Sequence, residues 1–341
     1  MCVKNFIKPI YEFMTYYFPI IPKILEELYY FYNNLITSNK VYQKNVSKGK
    51  TLLKEIISDD KYYYVLIDKG IGDTVIVALY SYFFEKKYNK KICFVVPKGH
   101  LDVMKRFNYV KKTIGLTREE LDNIVLYISK INKYETKDYC YAFFKMKISQ
   151  NSRRNWSSSK WNKKLIMVER YKEFVFGIDK NFKQCKIAES SCNKELLKKY
   201  DINSKTIIIN PYANTVTALR ISFWENLVLK LNNNGYNVYT NISNPQKEQV
   251  IKGTKSLNVT LDEIYNISSA IKAFIALRSG ICEYLALNNI NLVVINKNDK
   301  NYEGFDNVNT FSTKKTVKNV YVNKKKESVL ISEILDLLKE K

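Results

Sequence analysis

The sequence predicts an α/β protein built from two doubly wound, parallel-sheet domains. Short runs of β-branched and aromatic residues alternate with segments of helical periodicity along most of the chain, which is typical of parallel sheets covered by helices. The chain has 341 residues, enough for two domains that each bury a core. Hydrophobic residues make up 46% of the composition, a share typical of globular proteins.

The first domain is organised around one strand, one glycine loop and one helix. The buried run Tyr62–Ile67 leads through Gly70 and Gly72 into a helix that we expect to begin near Asp73 and Thr74. Backbone N–H groups at such a loop suit a phosphate, a carboxylate or a developing oxyanion. Asp73 is therefore either a helix cap, the commoner role for an aspartate here, or a catalytic carboxylate in a ligand loop.

The glycine spacing excludes two common nucleotide sites. The third glycine of a dinucleotide fingerprint would fall at Val75, and the chain contains no G-x-x-x-x-G-K motif. Neither a nicotinamide cofactor nor a Walker-type ATP site is favoured.

Charge and cysteine usage limit the partners. The net charge of +23 favours anionic partners, namely phosphorylated substrates, a membrane surface or nucleic acid. The six cysteines form no C-x-x-C pair and there is one histidine, so the common zinc patterns and a disulfide framework are excluded. We expect a reduced, cytoplasmic protein that needs no metal or other cofactor.

Further strands follow in the first domain. Lys91–Pro97 is predicted as a second buried strand, with His100 in the loop at its end, either a surface residue or a ligand contact near Asp73. Ile124–Ile128 and Tyr139–Phe144 are predicted as the next strands.

A basic segment with tryptophans, Lys145–Lys172, completes this domain. Tryptophan offers a flat apolar surface and arginine a forked phosphate contact, so we predict that Arg153, Arg154 and Trp156 bind a polyanion or a phosphorylated glycan. A nucleic acid would use the same residues, and a solvated loop is the structural alternative.

The chain begins with an aromatic and basic segment. Two helical stripes, broken by Pro19 and Pro22, predict an N-terminal helical extension over residues 1–57. Neither stripe is long enough to span a bilayer. The extension either packs on the first domain, which we place at residues 58–180, or lies in the plane of an anionic membrane surface.

The second domain is predicted at residues 206–325, between a linker at 181–205 and a closing helix at 326–341. The strand Thr206–Asn210 leads to a loop with Asn214 and Thr215, and the strand Lys272–Leu277 leads to Arg278-Ser279-Gly280. Loops at these positions bind nucleotides in doubly wound sheets. Arg278 would either neutralise a diphosphate or form an ion pair between the domains.

The remaining predicted elements of the second domain are assigned by periodicity. They are the strands Tyr236–Thr240 and Asn291–Asn296 and the helices Phe223–Leu231, Leu261–Ala270, Ile281–Leu287 and Ser328–Leu338.

Three motifs in this order resemble bacterial glycosyltransferases of the heptosyltransferase type, glycosyltransferase family 9. They are Gly-Ile-Gly-Asp73, Asn-Pro-Tyr-Ala-Asn214 followed by Phe-Trp224-Glu-Asn-Leu, and Phe-Ile-Ala-Leu-Arg278-Ser-Gly-Ile-Cys. The resemblance implies the GT-B fold, two Rossmann-like domains with a cleft between them. It places the acceptor on the first domain and the sugar nucleotide on the second, and implies metal-independent inversion.

The resemblance also assigns roles by position. It makes Asp73 the catalytic base and places donor contacts at Asn214, Thr215, Ser279 and Gly280. Here Arg278 precedes Ser279, Glu283 stands where the family has a histidine, and Arg220 replaces a phosphate-binding lysine. The acceptor side would comprise Gly70, Gly72, Thr74, His100, Arg153, Arg154 and Trp156.

Together these observations predict an inverting, metal-independent glycosyltransferase of the hexosyl- or heptosyltransferase type. It would move a sugar from a nucleotide-sugar donor to a surface polysaccharide, such as lipopolysaccharide or capsule, or to a lipid-linked glycan, on the cytoplasmic face of the membrane. No nucleic acid is expected as a partner. The alternative is a non-catalytic basic protein that binds nucleic acid.

Overall fold

The computed structural model describes residues 40–59, 61–68, 70–89, 91–131, 139–141, 193–213, 216, 218–296, 317–322 and 325–339. Within these ranges the chain forms two parallel sheets, each covered by helices on both faces. The predicted α/β class is therefore confirmed.

The first sheet has four parallel strands in the order β3-β2-β1-β4. They are β1 (Tyr62–Leu66), β2 (Lys91–Pro97), β3 (Lys112–Leu116) and β4 (Tyr139–Tyr141). The described chain enters the sheet at β1 and adds strands on both sides of it, so the strand order reverses between β1 and β4. Such a reversal opens a crevice where ligands bind in doubly wound folds.

Helices cover both faces of this sheet. They are α1 (Lys40–Ile56), α2 (Ile71–Tyr88), α3 (Leu101–Met104), which follows a 3₁₀ turn at Lys98–His100, and α4 (Arg118–Ile131). Helices α1 and α4 pack against Tyr64 and Leu66 of β1, and α2 packs against Tyr63 and Val65 on the other face. A strand covered on both faces needs a nearly continuous apolar sequence, as β1 has.

One predicted strand is wrong, since Ile124–Ile128 lies within helix α4. Its buried residues Leu121, Ile124 and Ile128 recur at helical spacing and face the sheet. The third strand is β3 instead, an edge strand with Gly115 inside it and four half-buried residues, so it lacks the continuous buried run of a central strand.

Helix α1 packs within the first unit, which comprises the sheet β1–β4 and the helices α1–α4. It crosses α4 so closely at Gly49 that a Cβ atom there would overlap the carbonyl oxygen of Asn123. The predicted extension is described only from Lys40 onward, and its two aromatic stripes lie outside the described residues. Among the described helices, none is long and apolar enough to cross a membrane.

The second sheet has six parallel strands in the order β10-β9-β8-β5-β6-β7. They are β5 (Thr206–Asn210), β6 (Asn237–Asn241), β7 (Lys255–Leu257), β8 (Ala273–Leu277), β9 (Leu292–Asn296) and β10 (Val317–Tyr321). This is the Rossmann strand order, which reverses between β5 and β8. Both strands are buried along their whole length, and their loops border the crevice.

The helices of the second unit agree with the predicted ones and add one. They are α5 (Lys194–Lys199), α6 (Ile221–Asn233), α7 (Leu261–Ile267) with a 3₁₀ turn at Ser268–Ala270, α8 (Gly280–Leu285) and α9 (Glu327–Lys339). Helices α6 and α9 cover one face of the sheet, while α7 and α8 cover the other.

The added helix, α5, lies in the predicted linker. The Tyr239 hydroxyl of β6 donates a hydrogen bond to the carbonyl of Tyr200 at 3.0 Å, and Ile202 is buried. The described end of the predicted linker therefore packs on the second unit.

The two units share one apolar core. Ile76 and Tyr80 of α2 belong to the same buried cluster as Tyr265 of α7, Phe274 of β8 and Tyr284 of α8. Packed interiors resist deformation, so the units are held in a defined orientation by apolar contact.

We predict that Gly49→Ala destabilises the protein by about 1–3 kcal/mol, since the added methyl group would force α1 away from α4. At an exposed helical position the same change stabilises by about 0.5–1 kcal/mol, so the sign of the change in unfolding free energy shows whether the helices cross at Gly49. Urea unfolding measures the difference, with Lys50→Ala on the exposed face of α1 as the control. Equal or greater stability of the glycine variant would show that the helices do not cross there.

Candidate active site

The glycine loop after β1 positions Asp73 at the third residue of α2. The helix begins at Ile71, two residues earlier than predicted, with Gly70 as its N-cap. The Asp73 carboxylate accepts a hydrogen bond from the Gly70 N–H at 3.1 Å, which closes the first helical turn. Asp73 is half-buried, so its carboxylate both stabilises the helix start and reaches the surface.

Thr74 and His100 join the loops that follow β1 and β2. The Thr74 Oγ1 lies 2.8 Å from the His100 Nδ1, and both side chains are buried. The His100 loop is therefore next to the glycine loop, as expected, but the histidine is not a surface residue. Burial lowers the pKa of His100 to about 4, so the ring is neutral at pH 7.

The most informative contact joins the N-terminal ends of α2 and α8, one from each unit. A Cβ atom on Gly280 would lie 2.7 Å from the backbone nitrogen of Gly72 and 3.3 Å from Ile71. The two backbones meet because Gly280 has no side chain. Asp73, the residue after Gly72, is thereby brought to the Ser279-Gly280 loop, although some 200 residues separate them in sequence.

Glu283 is buried at this contact. Its exposed fraction is 4%, and its carboxylate carbon would lie 3.2 Å from a Cβ atom on Gly72. It forms an ion pair with Arg278 of the same unit, while Oε2 has no hydrogen-bond partner in the part of the chain that the structure describes. Burial raises the pKa of Glu283, and the charge of Arg278 opposes that rise.

Ser279 stands between these residues as the N-cap of α8. Its Oγ is buried and interacts with the Cys282 thiol, a weak partner, and it has no other hydrogen-bond partner among the described residues. A buried hydroxyl of this kind is ordinarily paired, so it is a candidate contact for a ligand.

Asparagines anchor the loop after β5. Asn210 at the end of β5 accepts a hydrogen bond from the Asn241 side chain at 2.7 Å and donates one to the carbonyl of Tyr212 at 3.0 Å. Arg220 is exposed at the other end of the loop, directly before α6. Asn214 and Thr215 lie outside the described residues.

The predicted acceptor residues are described only in part. Gly70 is exposed and Gly72 is buried, while Arg153, Arg154 and Trp156 lie outside the described residues. No group of three or more His, Cys, Asp or Glu side chains that could hold a metal ion occurs in the described ranges.

The sequence did not point to Arg106, which connects the two units. It follows α3, forms an ion pair with Asp262 of α7, donates to Asn266 Oδ1 at 3.0 Å and lies 4.7 Å from the centre of the Tyr265 ring. The scarcity of arginine is a sequence signal that could have identified it, because the chain has far more lysines than arginines. Three of the four described arginines form ion pairs, for which the forked guanidinium group is well suited.

Solved structures with the same architecture are glycosyltransferases of the GT-B type. The chain is similar to ADP-heptose lipopolysaccharide heptosyltransferase II of Escherichia coli, with a TM-score of 0.58, 14% identity, and coverage of 81% of this chain and 98% of that one. It is also similar to a glycosyltransferase family 9 protein of Veillonella parvula, with a TM-score of 0.54, 11% identity, and coverage of 83% of this chain and 98% of that one. For the E. coli heptosyltransferase WaaC with ADP the TM-score is 0.52 and the identity 9%, with coverage of 81% of this chain and 99% of that one.

No protein-family model and no curated protein matches the sequence. The structural similarity confirms the GT-B fold that the sequence resemblance implied. At these identities the similarity concerns the fold, and the activity is considered in the next section.

We predict a specific pH dependence of stability from His100. Its pKa is about 4 in the folded protein against 6.5 ordinarily, so only the unfolded chain binds this proton between those values. Stability therefore falls as the pH drops through that window, by about 2 kcal/mol between pH 7 and pH 5 from this group. Urea unfolding at both pH values should show a smaller fall for His100→Asn. Thr74→Ser, which keeps the histidine, should behave as the wild type, and equal falls in all three proteins would contradict the assignment.

We predict that Gly280→Ala loosens the contact between the units. The new methyl group would meet the Gly72 backbone, which cannot rotate aside as a side chain does, so we expect a loss of about 1–3 kcal/mol. Gly99→Ala is the matched control, because a Cβ atom there would have no neighbour within 4 Å. Thermal unfolding of the two variants in parallel provides the comparison, and an unchanged Gly280 variant would argue against the close approach.

Proposed function

We propose that the protein is an inverting, metal-independent glycosyltransferase. It transfers a sugar from a nucleotide-sugar donor to a surface polysaccharide or a lipid-linked glycan. The observation that supports this most directly is the contact of Gly72 with Gly280, because it brings Asp73 of the first unit to the strand-end loop of the second. The GT-B fold supports the same class of reaction.

Asp73 is the proposed general base. Its carboxylate takes the proton from the acceptor hydroxyl while that oxygen attacks the anomeric carbon. The bond from this carbon to the diphosphate breaks, and the nucleoside diphosphate leaves with the electron pair. Attack opposite the leaving group inverts the anomeric configuration. The hydrogen bond from the Gly70 N–H orients the carboxylate for this step.

The donor is proposed to bind at the crevice of the second sheet, between the loops after β5 and β8. Arg278 and Arg220 would stabilise the negative charge that develops on the departing diphosphate. Ser279 and Gly280 border the same position, and Asn214 and Thr215 belong to the facing loop. One structural neighbour contains ADP, which is consistent with a nucleotide donor for this chain.

The acceptor is proposed to approach the glycine loop of the first unit. Gly70 is exposed there, whereas Thr74 and His100 are buried and would shape the loop from behind rather than touch the acceptor. Arg153, Arg154 and Trp156 would bind the glycan. The net charge of +23 suits an acceptor that carries phosphate and a location at the inner, anionic face of the membrane.

The second candidate function, non-catalytic binding of nucleic acid, is favoured by charge alone. Helix α1 carries Lys40, Lys44, Lys50 and Lys54 at exposed positions. Binding of this kind weakens steeply with salt and does not require Asp73.

We predict that Asp73→Asn lowers the rate of transfer by about 100-fold or more, because an amide cannot accept the proton. The amide oxygen can still accept the Gly70 hydrogen bond, so folding and donor binding should be nearly unchanged. A thermal-shift screen of nucleoside diphosphates and their sugars identifies the donor, and release of the diphosphate then reports turnover.

Asp336→Asn is the matched control for this experiment. Asp336 is exposed and forms an ion pair with Lys339 on α9, a helix that packs against α6 and β10 of the second unit. Retention of more than about a tenth of the activity by the Asp73 variant, a loss under 1.4 kcal/mol, would show that Asp73 is not the base. If no nucleotide sugar binds the wild type, the proposed function itself is wrong.

A further inference from the structure

The ion pair of Arg278 with Glu283 has an unusual setting. Glu283 is 4% exposed, and its Oε2 has no hydrogen-bond partner within the described ranges. The side chain of Arg278 is 19% exposed, so a ligand in the crevice can reach it. A buried carboxylate depends on its cation, because desolvation disfavours the ionised form.

The close packing of Gly72 prevents Glu283 from finding another partner. A Cβ atom on Gly72 would lie 3.2 Å from Oε2, so backbone of the first unit covers this face of the carboxylate. Helix α2 therefore closes the space in which water would otherwise solvate the charge. Neutralisation by Arg278 is then the main support for the ionised state.

A diphosphate at Arg278 changes this balance. It brings two negative charges to a pair that has no net charge, and it competes with Glu283 for the same guanidinium group. Two anions on one cation repel each other, and the buried one is also poorly solvated. The carboxylate can relieve this repulsion by taking up a proton.

We propose that binding of a nucleotide-sugar diphosphate at Arg278 is coupled to the uptake of one proton by Glu283. This inference rests on the proposed function. A proton from solvent bonds to a carboxylate oxygen of Glu283 when the donor binds, and it returns to solvent when the nucleoside diphosphate leaves. Glu283 thus determines the pH range in which the donor binds well.

The surroundings of Glu283 make this coupling measurable. On its own helix the nearest titratable group is the Cys282 thiol, whose pKa burial raises to about 12. Arg278 precedes that helix, and Asp73 follows Gly72 on α2, the helix packed against it. The only histidine of the chain has a pKa of about 4. Histidine is the side chain that ordinarily titrates between pH 6 and 8, so a proton taken up in that range points to a group with a shifted pKa such as Glu283.

Calorimetry of the full-length protein tests the coupling directly. The probe is whichever of UDP-glucose, ADP-glucose and GDP-mannose gives the largest thermal shift, since the diphosphate of a nucleotide sugar does not itself titrate near neutral pH. Titrations in two buffers of different ionisation enthalpy yield the number of protons taken up. In a scan from pH 5.5 to 8.5 we expect uptake of up to one proton, with Kd rising by at most about tenfold per pH unit wherever the uptake is complete.

Glu283→Gln identifies the group that titrates. The amide is neutral at every pH, so the variant should show no proton uptake, a Kd constant within about twofold, and tighter binding than the wild type at the upper end of the range. Glu85→Gln is the control, since Glu85 is another carboxyl whose pKa burial raises, near the opposite end of α2. It accepts a hydrogen bond from the Ile92 N–H at 2.8 Å, which an amide oxygen can also accept, and it should keep the wild-type coupling.

The outcomes separate this inference from the proposed function. Binding of a nucleotide sugar without proton uptake at any pH, or with uptake that persists in Glu283→Gln, overturns the coupling and leaves the proposed function standing. Should no nucleotide sugar bind at all, the proposed function and the coupling fail together. A wild type that takes up no proton overturns the coupling even if the glutamine variant does not fold.

Discussion

The close approach of α2 to α8 is the constraint on which the rest of the structure depends. Two helices from different units meet at their N-terminal ends because Gly280 leaves room for the Gly72 backbone and Gly72 leaves room for the Glu283 side chain. Around this contact the apolar residues of α2, α7 and α8 merge into one core. The packing therefore sets the orientation of the two sheets and brings their strand-end loops to the same place.

The same packing determines the electrostatics of the candidate site. Helix α2 covers the carboxylate of Glu283 and leaves Arg278 partly exposed, so the negative member of the pair is the buried one. Asp73, one residue beyond the contact, is held by a backbone N–H and reaches the surface. Two carboxylates close together in the fold thus have different environments, which is what the proposed roles of Asp73 as the base and Glu283 as the group that responds to the donor require.

The fold persists at 9–14% identity to the heptosyltransferases, because it depends on the pattern of buried residues more than on their identity. Glu283, which pairs with Arg278, stands where the family resemblance led us to expect a histidine, and Arg106 forms a polar connection between the units. Donor chemistry is therefore better inferred from these residues than from the neighbours.

The sequence by itself determined the central strands and the loops that follow them. Strands β1, β2, β5 and β8 are buried on both faces, so their apolar runs were readable, and the glycines and polar residues after them marked the loops. The edge strands β3, β7 and β10 have fewer buried residues and were missed. The run Ile124–Ile128 was misassigned because a short apolar segment suits a strand or a helix equally.

Only the tertiary structure decided which groups meet. Periodicity reports that a face is buried, but it does not report what covers that face, so the contacts of Thr74 with His100 and of Gly72 with Glu283 could not be read from the chain. The protonation of His100 and Glu283 follows from those contacts, since burial and neighbouring charge set the pKa of a side chain. The sequence supplied the chemical groups, and long-range packing determined their partners and their charge.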